Sequence, residues 1–158
     1  MKHYHDNFRY EQKQKNRSRG SEQKSGGFRC AHCRQWVVIN HLMGTANRNH
    51  CNVCLWSKHV DEKKGDRRAE CRGGMRPIGL TLKHDGYGRV GELMLVHECC
   101  GCGKLSINRI ARDDFETRIL EIFEQSRVLN SQMQGTLQHE DIDLLDDADE
   151  VQRQLFGV

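Results

Sequence analysis

At 158 residues, with 36% hydrophobic and 30% charged residues, the chain suits one domain with tails and is short of apolar material for a large core. Its net charge is +3, and no apolar run reaches the roughly 18–20 residues of a membrane span, so no membrane partner is expected. The first residues, Met1 to Asp6, lead into no apolar stretch; this argues against a secretory signal and for a cytoplasmic protein.

Charge divides the chain into three. Residues 1–30 carry net +5, residues 31–114 again +5, and residues 115–158 carry −7. The segment 1–27 is rich in Gln, Arg, Lys and Ser and nearly free of aliphatic side chains. It cannot bury enough apolar surface to offset its ordering entropy, and is read as a disordered basic arm.

Cysteine pairs mark the next part, residues 28–114. Cys30-Ala31-His32-Cys33, Cys51-Asn52-Val53-Cys54 and Cys99-Cys100-Gly101-Cys102 are three C-x-x-C knuckles, with Cys71 between the last two. Each knuckle lets two thiolates close on one ion, and tetrahedral zinc takes four sulfur or imidazole ligands. In a reducing compartment such pairs point to metal and not to disulfides. The eight ligands assigned are Cys30, Cys33, Cys51, Cys54, His59, Cys71, Cys99 and Cys102, enough for two structural Zn2+ ions. His59 leads as the histidine because a short helix over Leu55–His59 would turn it back to the metal; His50 and His97 remain alternatives.

Phe28-Arg29 and Trp36 to Ile39 flank the first knuckle as strands. Leu93 to His97 and Leu105 to Asn108 flank the third in the same way. Two hairpins with a knuckle at each tip make a zinc-ribbon-like, metal-stabilised α+β fold. Two pairings are open. In one, the first two knuckles share an ion. In the other, which matched strands favour, Cys30, Cys33, Cys99 and Cys102 form an outer site, and Cys51, Cys54, Cys71 and a histidine form an inserted second site. The stretch between the hairpins reads as turn-rich.

Residues 115–158 read as an acidic helical tail. Asp113 and Glu116 form a capping pair, Phe115, Ile119, Ile122 and Phe123 share one helical face, and a polar linker surrounds Gly135. A second helix from about Glu140 carries Ile142, Leu145, Ala148, Val151 and Leu155. These stripes pack on the ribbon or on each other, or else dock a protein partner.

Arg48-Asn49-His50-Cys51, running on to Asp61, together with Gly65-Asp66-Arg67, Cys71, Pro77-Ile78-Gly79, His97-Glu98-Cys99 and Asn108-Arg109-Ile110, resembles the bacterial RNHCP domain family over roughly residues 28–114. Asn52 stands where that family's name has Pro, and Arg34 follows the first knuckle where Gly would be usual. The resemblance implies a small zinc-binding protein and brings no established activity with it.

The polar residues that are not ligands suggest nucleic acid. Arg48, Asn49, Arg67 and Arg109 are the first candidates for phosphate or base contact, with Trp36, Trp56 and Tyr87 as stacking faces, although Trp36 on its strand suits the core better. RNA, with a place on the ribosome, is the expected partner. A nuclease centre built from His50, His59, Asp61 and Asn108 is disfavoured, because closed four-ligand sites leave no metal-bound water. The protein is expected not to be an enzyme, and no small-molecule substrate is inferred.

Overall fold

The computed structural model describes residues 26–39, 48–63, 66–84 and 90–158. Residues 1–25 of the basic arm and Tyr87 lie outside the described residues, and Gly27 belongs to the first strand and not to the arm. No helix among the described residues is long and apolar enough to cross a membrane.

Two antiparallel sheets carry the cysteines. β1 (Gly27–Arg29) and β2 (Trp36–Val38) form a small hairpin with Phe28 opposite Val37. β3 (Ser57–Lys58), β4 (Gly74–His84), β5 (Val90–Cys99) and β6 (Leu105–Arg109) form the main sheet in that order. β4 occupies part of the stretch expected to be turns. Gly74, Pro77 and Gly79 obscure it in the sequence, yet each has a place in the strand. The register slips between Pro77 and Gly79, so Ile78 forms a bulge, a position where a residue without an N–H is tolerated. At Gly79 a Cβ would come within 2.7 Å of the Leu144 side chain.

Three helices follow: α1 (Glu116–Ser126), α2 (Ser131–His139) and α3 (Ala148–Phe156). The expected capping pair is absent. Phe115 is the N-cap of α1 and has no polar atom to cap with, while the carboxylates of Asp113 and Asp114 are engaged by Arg48. Phe115 is also half exposed and off the buried face, which Ile119, Ile122 and Phe123 form. The region around Gly135 is helix instead of linker. Asn130 accepts a hydrogen bond from the Met133 amide, and Met133 and Leu137, four residues apart, both face inward. The last helix is shorter than expected because residues 143–145 run beside β4, where the Leu145 amide donates to the Leu80 carbonyl and the Thr81 hydroxyl to the Asp143 carbonyl. This strap satisfies part of β4 beyond the reach of two-residue β3.

The helices complete the core. Leu80, Leu93 and Leu95 of the sheet meet Ile119, Ile122, Phe123 and Val151, with Leu55 beside them. Ile78 and Val96 meet Met133 and Leu137. The apolar stripes of residues 115–158 therefore pack on the sheet, the first of the two arrangements expected. Ile122→Ala should cost about 2–5 kcal/mol in urea unfolding, while Val128→Ala, at 83% exposed, should stay within about 0.5 kcal/mol.

Candidate metal centres

Each knuckle is built the same way. The amides of Arg34, Leu55 and Gly103 donate to the carbonyls of Cys30, Cys51 and Cys99 at 2.9–3.0 Å, and the amides of those same cysteines donate to the carbonyls of Gln35, Trp56 and Lys104 at 2.8–2.9 Å. The residue that closes the loop sits in the left-handed region in all three, with φ of 68° at Arg34, 61° at Leu55 and 78° at Gly103. Only Gly103 adopts it without steric cost, which explains why Gly would be usual at position 34. In the first two knuckles, backbone N–H groups of His32, Cys33 and Val53 point at sulfur. Such bonds favour thiolates.

The knuckles gather into two clusters whose ligand atoms lie within 4.8 Å of one another: Cys30, Cys33, Cys51 and Cys54; and His59, Cys71, Cys99 and Cys102. This corrects the nested arrangement, in which Cys30 and Cys33 shared an outer site with Cys99 and Cys102 around an inserted one. The first and third hairpins do not pair because β4 is the antiparallel partner of β5, leaving β1 and β2 a sheet of their own. His59 joins the second cluster as expected, but from the end of β3, its amide donating to the Gly73 carbonyl, and not from a helix. Cys100 stands outside both clusters and is exposed.

The donor atoms fit a tetrahedral ion. Sulfurs of Cys30 and Cys54 are 3.6 Å apart, those of Cys33 and Cys51 3.5 Å, and those of Cys71 and Cys99 3.6 Å, while Cys102 Sγ is 3.3 Å from His59 Nδ1. A tetrahedron with metal–sulfur bonds of 2.3 Å has edges of about 3.8 Å, close to these separations. Nδ1 is thus the His59 nitrogen that faces the cluster, while the buried Nε2 has no hydrogen-bond partner. Burial, then the nearby Lys104 charge, lowers the imidazole pKa, favouring the neutral form that ligates. Hydrogen bonds from Cys51 and Cys54 hold the Cys30 thiol far below its ordinary value, and the Cys30 contact pushes Cys51 up to about 11. Both clusters could hold a metal ion.

Glycines make room for the second cluster. A Cβ on Gly73 would lie 2.9 Å from Cys99 Sγ, and one on Gly101 would lie 3.0 Å from Cys71 Sγ.

The RNHCP domain profile matches residues 25–120, more than half of the chain. The chain belongs to the RNHCP domain family. No curated protein and no solved structure matches it. In this RNHCP domain, three consecutive residues before the Cys51 ligand are internal braces. Arg48 is buried, and its guanidinium donates to Asp113 Oδ1 at 2.5 Å, Asp114 Oδ1 at 2.6 Å and the His50 carbonyl at 2.9 Å. The expectation of a phosphate contact at Arg48 is thereby corrected: the side chain is enclosed and its donors are taken. Asn49 donates to Asp61 and accepts from Arg67, whose own amide bonds Asp61 Oδ1 at 2.8 Å. His50 Nε2 lies 2.7 Å from Asp114 Oδ2, which also accepts from the Ala111 amide. The sequence signal that would have exposed this network was the acidic pair Asp113-Asp114, which local helix capping explained too readily.

Other expected residues are placed differently. His97 is buried away from the cluster, with Nε2 donating to the Leu55 carbonyl at 2.7 Å and Nδ1 accepting from Asn108 at 2.9 Å; burial lowers its pKa to about 3. Arg109 pairs with Glu92 at 2.9 Å on the sheet surface. A cavity of ≈ 230 Å³ beside His59 brings Lys58, Lys63 and Lys104 together with Asp61 and Glu62.

Arg48→Ala leaves two carboxylates without their cation and should cost about 3–5 kcal/mol in chemical unfolding. Gly73→Ala should lower bound metal from two equivalents per chain toward one by elemental analysis, sparing the first cluster.

Proposed function

We propose that the protein is a structural-zinc module that binds RNA and performs no catalysis. The observation that carries the reading is the make-up of the two clusters, one of four thiolates and one of three thiolates with an imidazole. Soft ligands in a tetrahedral array suit Zn2+, and four protein ligands on each ion leave no position for a reactive water. The ions then act through folding, because their binding free energy is folding free energy.

RNA is supported by charge. Residues 1–114 carry net +10 by sequence, and the metal-stapled loops among the described residues are of a kind that suits unpaired strands better than duplex grooves. No helix lies within the basic part among the described residues, so a major-groove reader has no recognition element there. The adaptor reading draws less support, because the apolar faces of the C-terminal helices are occupied by the sheet. Ribosomal RNA, in the cytoplasm, is the natural abundant target.

Elemental analysis of the purified protein should return two zinc ions per chain, and a strong chelator should abolish most of its circular dichroism; iron in place of zinc would overturn the metal assignment. A single-stranded RNA making three phosphate contacts should lose affinity roughly twentyfold between about 50 mM and about 200 mM salt. Absence of binding at the lower salt would overturn the RNA reading.

A further inference from the structure

β6 and the chain from Ser57 to Lys63 face one another across the cavity of ≈ 230 Å³ beside His59. That volume lies below the roughly 300–1,000 Å³ of pockets that enclose drug-sized ligands, so it suits a single small ring. Charges of both signs stand around it, Lys63 and Lys104 with Asp61 and Glu62, and net charge selects no occupant. The hydrogen-bonding groups on its walls do.

Ser57 lies opposite Met75 in the sheet, which puts both side chains on one face; Ser106, opposite His97, and Asn108, opposite Leu95, belong to the same face. Ser57 is 8% exposed, and its hydroxyl has no hydrogen-bond partner among the described residues. A buried hydroxyl left in that state costs free energy, and a ligand in the cavity it lines would satisfy it. Asn108 is oriented by the buried His97. The Leu55 carbonyl can only accept, so His97 Nε2 carries the ring proton and Nδ1 accepts from Asn108 Nδ2 at 2.9 Å. The same Nδ2 donates to Ser106 Oγ at 3.1 Å. Both amide protons are thereby taken, and Oδ1, without a partner among the described residues, is the atom left for a ligand. At the mouth, Lys104 gives one ammonium proton to the Glu62 carbonyl and keeps the others. Val60 and Met75, both buried, add apolar wall.

No indole lines this cavity. Trp56 stacks on His32 with centroids 3.9 Å apart and planes 5° from parallel. Trp36, expected in the core, is 39% exposed on the first hairpin, where a Cβ on Gly27 would sit 2.8 Å from its ring. A ring held in the cavity is therefore read by its edge.

We propose that the cavity holds one unpaired pyrimidine base. One acceptor, Asn108 Oδ1, and two donors, the Ser57 hydroxyl and the Lys104 ammonium, complement a pairing edge with one donor group and two acceptors. Uracil and cytosine offer that edge; adenine and guanine do not. Base pairing would occupy the same edge, so a duplex does not fit. The proposal rests on the RNA reading above and narrows it to one cavity and to pyrimidine-containing single strands.

The test uses the full chain with fluorescein-labelled oligouridine and oligoadenosine of equal length, and with uridine as a free source of the same base. Oligouridine should bind at least about fivefold more tightly by anisotropy. Ser57→Ala and Asn108→Ala should each remove most of that preference and change oligoadenosine binding little. Metal content and circular dichroism are measured for each variant. Should Asn108→Ala fail to fold, Ser57→Ala decides, since it removes no hydrogen bond among the described residues. Equal affinity for the two oligomers, unchanged by either variant, would overturn the cavity site while leaving the RNA reading intact. Uridine binding that Ser57→Ala abolishes, with no binding of either oligomer, would assign the cavity to a free nucleoside and overturn the RNA source. Failure to bind any of the three would overturn both.

Discussion

Four ligand atoms held within 4.8 Å of one another form an arrangement that electrostatics disfavours unless a cation sits among them. In the first cluster all four are cysteine sulfurs, so each thiolate formed raises the cost of forming the next. A divalent ion removes the conflict, because its charge stabilises the thiolates that donate to it. The repeated knuckle geometry serves this end. Each loop spends a left-handed residue and two backbone hydrogen bonds on holding its cysteines ready, even where that residue is Arg34 or Leu55 and the conformation is costly.

Arg48 joins the clusters to the rest of the molecule. It lies three residues before Cys51 of the second knuckle, and its guanidinium reaches the Asp113-Asp114 pair at the foot of α1. His50 and the Ala111 amide complete the coordination of Asp114. The string that gives the family its name therefore reads as architecture: one residue ties the knuckle to the helix, one braces the loop through Asp61 and Arg67, one completes the carboxylate's shell, and one is a ligand. A buried ion pair of this kind is weak as a net source of stability but severe when broken, which suits a joint more than a brace.

The sequence made some of this legible and hid the rest for identifiable reasons. C-x-x-C spacing is local chemistry, so the knuckles and their flanking strands could be read directly. The partners of each knuckle are a matter of tertiary topology, and the strand that decided it, β4, was disguised by Pro77 and Gly79 at a bulge and a close contact. Asp113 looked like a helix cap because capping is the commonest use of that residue in that place, whereas its partner was 65 residues away. Trp36 looked like core because strands usually bury aromatics. Gly27, which lets the indole lie outward against backbone, carries no side chain that would advertise its role.

The two centres differ in what else supports them. Around the first, Val37 is the only aliphatic side chain of the hairpin that is fully enclosed, and the sheet there is three residues wide on each strand. Around the second, β4 and β5 continue into a core shared with three helices. Metal starvation should therefore dismantle the protein in a set order, with the hairpin melting into chain while the helix-backed sheet still stands. Hydrogen exchange followed during slow chelation would record this as early loss of protection at Val37 and late loss at Leu95.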